Sequence, residues 1–116
     1  MSKQEIKVIT KIIREVSLYL MLNGFKDFLI ETKNTSDTTR ILITMENPNE
    51  KTLSYMKEKL SMAREIEVET YGWELAGDID SKSGLDMVGL FVDECKVSKD
   101  GNKTVISLLR INRYKD

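Results

Sequence analysis

The chain has 116 residues, with 18 Lys and Arg against 19 Asp and Glu, one cysteine and no histidine. Its length is that of a single domain, residues 1–116, and 41% hydrophobic with 32% charged residues is typical of a globular chain. The lack of histidine excludes Ser-His-Asp and Cys-His nucleophile systems and any His-containing zinc site. One cysteine excludes an internal disulfide and a Cys-only zinc site. The net charge of −1 argues against general nucleic-acid binding.

Hydropathy and the single cysteine limit the expected localisation of the protein and the expected chemistry of its thiol. The longest wholly apolar run, residues 18–22, is far shorter than the roughly 20 residues of a spanning helix. The first residues lack the apolar core of a signal peptide, so we expect a cytoplasmic protein that does not enter a membrane. Cys95 lies between apolar Val92 and Val97, which favours a small buried side chain over a reactive thiol.

The first predicted element is a helix over residues 3–22. Ser2 and Glu5 have the spacing of a capping box, in which Ser2 caps the helix and Glu5 reaches back to it. The dipeptide Asn23-Gly24 is a natural stop, because glycine tolerates the left-handed turn. A helical apolar stripe connects the two signals: Ile6, Ile9, Ile13, Val16 and Leu20.

A hairpin and a second helix follow. Alternation over residues 28–33 and 41–45 predicts two strands, joined by four to five turn residues around 34–37. Asn47 is the predicted cap of the next helix, with Pro48 at its first position. The apolar stripe of that helix is Leu53, Met56, Leu60 and Ala63.

The segment from 65 to 84 offers weak metal signals. Glu65, Glu67 and Glu69 share one face of an extended stretch, which favours a charged edge strand over a three-carboxylate metal site. The following loop holds Trp73 and an Asp78-Ile79-Asp80 run that lacks the distal bidentate acid of a calcium loop. No metal site is therefore predicted.

The last third predicts a helix and a second hairpin. Ser83 is positioned to cap the helix, and residues 95–98 and 103–110 form strands around Asp100-Gly101, a hairpin signal. Residues 105–109 are apolar on both faces, which predicts a central strand. The element order α-β-β-α-(β)-α-β-β predicts an α+β two-layer sandwich, with helices on one face of a mixed, mainly antiparallel sheet.

The chain resembles the histidine-kinase-like ATPase (GHKL or Bergerat) fold, and most of all its small serine-kinase anti-sigma factors. A helix in that group carries a Glu, then an Asn, then a Gly, and the matching stretch here runs from Glu15 to Gly24. The resemblance implies that Glu15 is the catalytic base or the metal-positioning carboxylate. The Asn that would hold magnesium is replaced by Tyr19, a poor neutral ligand, and Asn23 ends the stretch.

The two remaining boxes of this family are altered as well. The adenine box Asp-x-Gly-x-Gly corresponds to a segment holding Glu46 and Asn47, in which both glycines are missing. The Ser-Gly-x-Gly turn, which presents backbone N–H groups to phosphate, corresponds to Ser83-Gly84-Leu85-Asp86. Asp86 places a negative charge where phosphate would lie. The resemblance therefore implies a vestigial nucleotide pocket, formed by Tyr19, Asn23, Glu46, Asn47, Ser83, Gly84, Leu85 and Asp86.

Three functions follow from these observations. The leading hypothesis is a non-catalytic regulatory or protein-interaction domain on a degenerate ATPase-type scaffold, with a protein partner and no cofactor. The alternative is an ATP-binding serine protein kinase that uses Mg-ATP and Glu15. The third is a homo-oligomeric structural domain, dimerising through the apolar end of the first helix or an edge at residues 66–71.

Overall fold

The computed structural model describes residues 1–61 and 84–114, and within these ranges the chain forms three helices and four strands. The helices are α1 (Lys3–Leu22), α2 (Glu50–Leu60) and α3 (Leu85–Leu90), and the strands are β1 (Phe28–Asn34), β2 (Thr38–Glu46), β3 (Glu94–Asp100) and β4 (Lys103–Ile111). The predicted carboxylate edge at 65–69, Ala63, Trp73, the Asp78–Asp80 loop and the cap Ser83 lie outside the described residues.

The four strands form one sheet in the order β1-β2-β4-β3, and every neighbouring pair is antiparallel. Strand β4 lies between β2 and β3, which confirms the prediction of a central strand for its apolar run. Helices and sheet share one apolar core, so the α+β two-layer class is confirmed. The described sheet is wholly antiparallel, where the sequence predicted a mixed sheet with mainly antiparallel pairs.

The two hairpins of the sheet are related by an approximate two-fold axis. The pair Ile30–Ile43 of the first hairpin corresponds to Cys95–Leu108 of the second, and both residue numbers rise by 65. The same shift exchanges Leu42 and Ser107, which face each other where β2 meets β4. Strands β1 and β3 therefore occupy equivalent positions at the two edges.

The core lies between the inward face of the sheet and the inward stripes of the helices. Side chains alternate along β2 and β4, so that every second residue is buried. Each helix contributes its own apolar stripe. The buried members are Val8, Ile9, Ile12, Val16 and Leu20 of α1, Leu53, Met56 and Leu60 of α2, Leu85 and Val88 of α3, and Ile41, Ile43, Met45, Ile106 and Leu108 of the sheet.

The start of α1 has one of the two hydrogen bonds of the predicted capping box. Ser2 is the N-cap as predicted, and its Oγ accepts a hydrogen bond from the N–H of Glu5 at 3.1 Å. The predicted return bond from the Glu5 side chain is wrong, because that carboxylate instead pairs with the guanidinium of Arg110 at 2.7 Å. A buried cation is a stronger partner for a carboxylate than a neutral backbone N–H.

The start of α2 and the second hairpin are each displaced from their predictions. The N-cap of α2 is Asn49, not Asn47, and its Oδ1 accepts from the N–H of Thr52 at 2.7 Å. Asn47 adopts a left-handed φ of 44°, a region that asparagine tolerates better than most residues but that lies outside the extended conformation of an N-cap. The tight loop of the second hairpin is Gly101-Asn102, with Gly101 at φ 63°.

Over residues 1–61 and 84–114, no helix has both the length and the apolar character needed to span a membrane.

Candidate functional site

The carboxylate of Glu15 lies at the junction of α1 and α3. Its Oε1 is 3.0 Å from Nζ of Lys11, one helical turn earlier, and its Oε2 accepts a hydrogen bond from the N–H of Gly84 at 3.2 Å. Glu15 is 2% exposed and Lys11 3% exposed. Arg14 adds a second cation 3.7 Å from Oε1, on a side chain that is largely exposed. The negative charge of Glu15 is therefore buried and held by groups of the chain itself.

Gly84 can donate this bond because of its backbone conformation. It is the N-cap of α3 at φ 101°, where an L side chain would be strained. No side chain caps the helix. Leu85 is buried in the core, while the exposed Asp86 pairs with Nζ of Lys59 at 3.1 Å. Asp86 thus brings its negative charge to the first turn of α3, as predicted, but alongside a cation from α2.

Tyr19 lies one turn beyond Glu15 on α1, and Asn23 is the C-cap of the helix about two turns beyond Glu15. Both line an open pocket of about 430 Å³ against the start of α2. The ring of Tyr19 stacks on that of Tyr55, with centroids 5.4 Å apart. Burial and the neighbouring Tyr55 raise the pKa of the Tyr19 phenol, which keeps it protonated near neutral pH. Asn23 donates from Nδ2 to the carbonyl of Tyr19 at 2.8 Å. The amide N–H of Asn23 is therefore used within the fold, and the Tyr19 ring is packed against a neighbouring ring.

Glu46 and Asn47 lie at a different place. Glu46 lines a pocket of about 450 Å³ at the end of the sheet, together with Lys26 and Lys103 and without Tyr19, Asn23 or Gly84. The N–H of Asn47 donates to the carbonyl of Asn102 at 2.8 Å, so this turn is tied to the second hairpin. The predicted residues thus divide among three places, with Glu15 and Gly84 in contact, Tyr19 and Asn23 adjoining, and Glu46 apart.

A buried network at the start of α1 was missed at the sequence level. Arg110 donates from Nε and Nη2 to the two carboxylate oxygens of Glu5 at 2.8 and 2.7 Å, and from Nη1 to the carbonyl of Phe91 at 2.9 Å. Arg110 is 1% exposed and Glu5 0% exposed. The available signal was Arg110 at an inward position of an apolar strand, since a buried guanidinium requires a carboxylate partner.

The thiol of Cys95 is half-buried against the core. Burial raises the pKa of this thiol, and contacts with Ser61 and Lys57 offset that shift only in part. A raised pKa keeps sulfur in the unreactive protonated form. The preference for a packed side chain over a reactive nucleophile is therefore supported.

Residues 1–61 and 84–114 contain no group of three or more Cys, Asp or Glu side chains arranged to hold a metal ion. No family model, curated protein or solved structure matches the chain.

Proposed function

We propose that the protein is a non-catalytic regulatory or protein-interaction domain, built on a scaffold that resembles the histidine-kinase-like ATPases. The observation that carries the proposal is the position of the Glu15 carboxylate, 3.2 Å from the N–H of Gly84. In the ATPases that the chain resembles, the corresponding N–H belongs to the turn that faces phosphate. Under this proposal, the Glu15 carboxylate takes the place of the phosphate anion.

The electrostatics of this contact oppose nucleotide binding. A phosphate approaching Gly84 would have to break its bond to Glu15 and would meet a buried negative charge. Pairing with Lys11 stabilises Glu15 where it is, so moving the side chain would separate a buried ion pair. Asp86, in the next turn of chain, adds a second carboxylate. The cost of admitting a triphosphate is therefore high.

The same geometry argues against Glu15 as a general base. A base must reach the proton that it removes, directly or through one water. Both oxygens of Glu15 face groups of the protein, and the side chain is 2% exposed. Its surroundings are those of a structural carboxylate that joins two helices.

The interaction half of the proposal rests on exposed apolar side chains at the end of α1. Leu18, Met21 and Leu22 lie at i, i+3 and i+4, so they share one face of the helix. They are 42%, 65% and 76% exposed. Apolar side chains that cluster on a surface, rather than occurring singly, are characteristic of contact surfaces.

Calorimetry with Mg-ATP separates this proposal from the serine-kinase alternative. We expect no binding tighter than a Kd of about 1 mM for the wild-type chain. We also expect Glu15→Gln to lower the thermal unfolding midpoint, because the residue is structural. A micromolar Kd, together with phosphoryl transfer that Glu15→Gln abolishes while leaving stability unchanged, would establish the kinase instead.

A further inference from the structure

Strand β1 lies at one edge of the sheet that the described residues form. It runs for seven residues in continuous register with β2, without a bulge or a proline, and five of the seven are exposed. Within residues 1–61 and 84–114, no strand pairs with its other side. Bulges and prolines are common protections of an edge, and β1 lacks both.

The backbone groups at this edge can be assigned from the hairpin. The N–H of Thr35 donates to the carbonyl of Thr38 at 2.8 Å. Because hydrogen-bonded and non-hydrogen-bonded pairs alternate in an antiparallel ladder, Lys33 and Glu31 also bond to β2. The N–H and C=O groups of Ile30, Thr32 and Asn34 therefore point away from β2, toward the free edge.

The side chains along the edge alternate in charge. Glu31 and Lys33 lie on the sheet face away from the core and form no ion pair in the described part of the chain. Lys33 is directly opposite Arg40 of β2, a like-charge pair that lacks a carboxylate neighbour at this position.

The equivalent edge on β3 differs in its charges. Its Lys96 is 3.9 Å from Glu94, and its Lys99 is 3.7 Å from Glu50. The lysines of β3 are thus countered within the chain, whereas Lys33 of β1 is not. This difference distinguishes two edges that the two-fold symmetry of the sheet makes geometrically equivalent.

We propose that β1 pairs with β1 of a second copy of this chain, antiparallel and about a two-fold axis at Thr32. This register places Glu31 opposite the second copy's Lys33 and Lys33 opposite its Glu31, and it joins the outward backbone groups of both strands. Each Lys33–Arg40 pair gains a carboxylate neighbour. A shift of the axis to Glu31 would oppose two carboxylates, so the charges select the register. The two four-stranded sheets become one continuous sheet.

This inference goes beyond the proposed function, since β1 contains no residue of the Glu15–Gly84 contact. Sedimentation equilibrium tests it with the charge variants Glu31→Lys and Lys33→Glu. We expect the wild-type chain to dimerise and each single variant to dimerise at least about tenfold more weakly, because two attractive cross-strand pairs become repulsive. An equimolar mixture of the two variants should form heterodimers, and the double variant should regain the homodimer.

Two further variants test whether the dimer forms through the edge of β1. Thr32→Pro removes an N–H that points away from β2, so it should abolish dimerisation while leaving the circular dichroism spectrum unchanged. Lys96→Glu on β3 is the matched control and should leave the dimer intact. A wild-type monomer at the highest soluble concentration overturns the proposal. So does a dimer that is indifferent to the charges of β1, or one that Lys96→Glu disrupts.

Discussion

Helix α1 carries two buried ion pairs of different construction. Glu5 pairs with Arg110, which lies 105 residues away on β4, through two parallel hydrogen bonds of 2.8 and 2.7 Å. Glu15 pairs with Lys11 within the same helix, and its second oxygen takes the N–H of Gly84. The first pair joins the two ends of the chain, whereas the second holds a single carboxylate against the start of another helix.

The two pairs differ in what they hold together. The Glu5–Arg110 network also bonds the carbonyl of Phe91, so it ties α1, β4 and the end of α3 together. Glu15, by contrast, accepts the N–H of Gly84, and under the proposed function it thereby takes the place of a phosphate anion.

The largest expected effect comes from breaking the first pair. We expect Arg110→Met to lower the free energy of unfolding by about 3–5 kcal/mol, because it leaves the Glu5 carboxylate buried without its cation. Urea denaturation measures the loss. The double variant Glu5→Leu/Arg110→Met should recover most of it, since no buried charge then remains. A loss below about 1 kcal/mol for Arg110→Met would show that solvent reaches Glu5.

A smaller loss of stability is expected from breaking the Glu15–Lys11 pair. Glu15→Gln should lower the free energy of unfolding by about 1–3 kcal/mol, since glutamine can still accept from Gly84 while Lys11 loses its counter-charge. Urea denaturation again measures it, with Asp86→Asn as an exposed-carboxylate control that should change stability far less. If Glu15→Gln were as stable as the wild type, the Glu15 carboxylate would not be held as described.

The Ser2 hydroxyl, which caps α1, provides a more sensitive test of the structure around the Glu5–Arg110 pair. Ser2 accepts from the N–H of Glu5 and donates to the carbonyl of Tyr114 at 2.9 Å. Ser2→Ala should cost about 1 kcal/mol in thermal unfolding. Thr10→Ala is the matched control, because the Thr10 hydroxyl donates only to exposed carbonyls of its own helix. Alanine is also the better helix former, so this variant should lose little stability. Equal losses for the two variants would contradict a special role for Ser2.

The smallest effect concerns the half-buried thiol, which belongs to neither pair. Because burial raises the pKa of Cys95 in the folded state, the stability that the protonated thiol contributes is complete below the unfolded pKa. It declines as pH rises through the folded pKa. We expect thiol reagents to modify Cys95 more slowly than free cysteine at pH 8, and Cys95→Ala to remove the part of the alkaline decline that the thiol contributes. Modification at the rate of free cysteine would contradict this.

Periodicity and turn chemistry predicted the helices and strands of the described residues. The apolar stripe between Ser2 and Asn23 predicted α1 within its observed bounds, and the two-sided apolar run of β4 predicted its central position. The cap of α2 was misassigned because Asn47 and Asn49 flank Pro48, and either can cap by residue type alone. The observed backbones separate them, because Asn49 has the extended φ and ψ of an N-cap whereas Asn47 has a left-handed φ of 44°.

Long-range pairings could not be predicted in the same way. Alternation places Arg110 inward, but several carboxylates could meet it, and the spacing of Ser2 and Glu5 offered a competing local partner for the one that does. The two-fold relation of the hairpins is carried by backbone register rather than by similar side chains, so no sequence repeat reveals it. Glu15 and Gly84 are 69 residues apart, and only the family resemblance suggested that they share a site.

The backbone amide of Gly84 reports most directly on the central claim that Glu15 fills the anion position. Its ¹H–¹⁵N resonance should be followed while Mg-ATP is titrated into the wild-type chain. We expect no change, because the N–H is held by the Glu15 carboxylate. A saturable shift of this resonance at micromolar nucleotide, absent at a distant amide such as that of Thr38, would contradict the account.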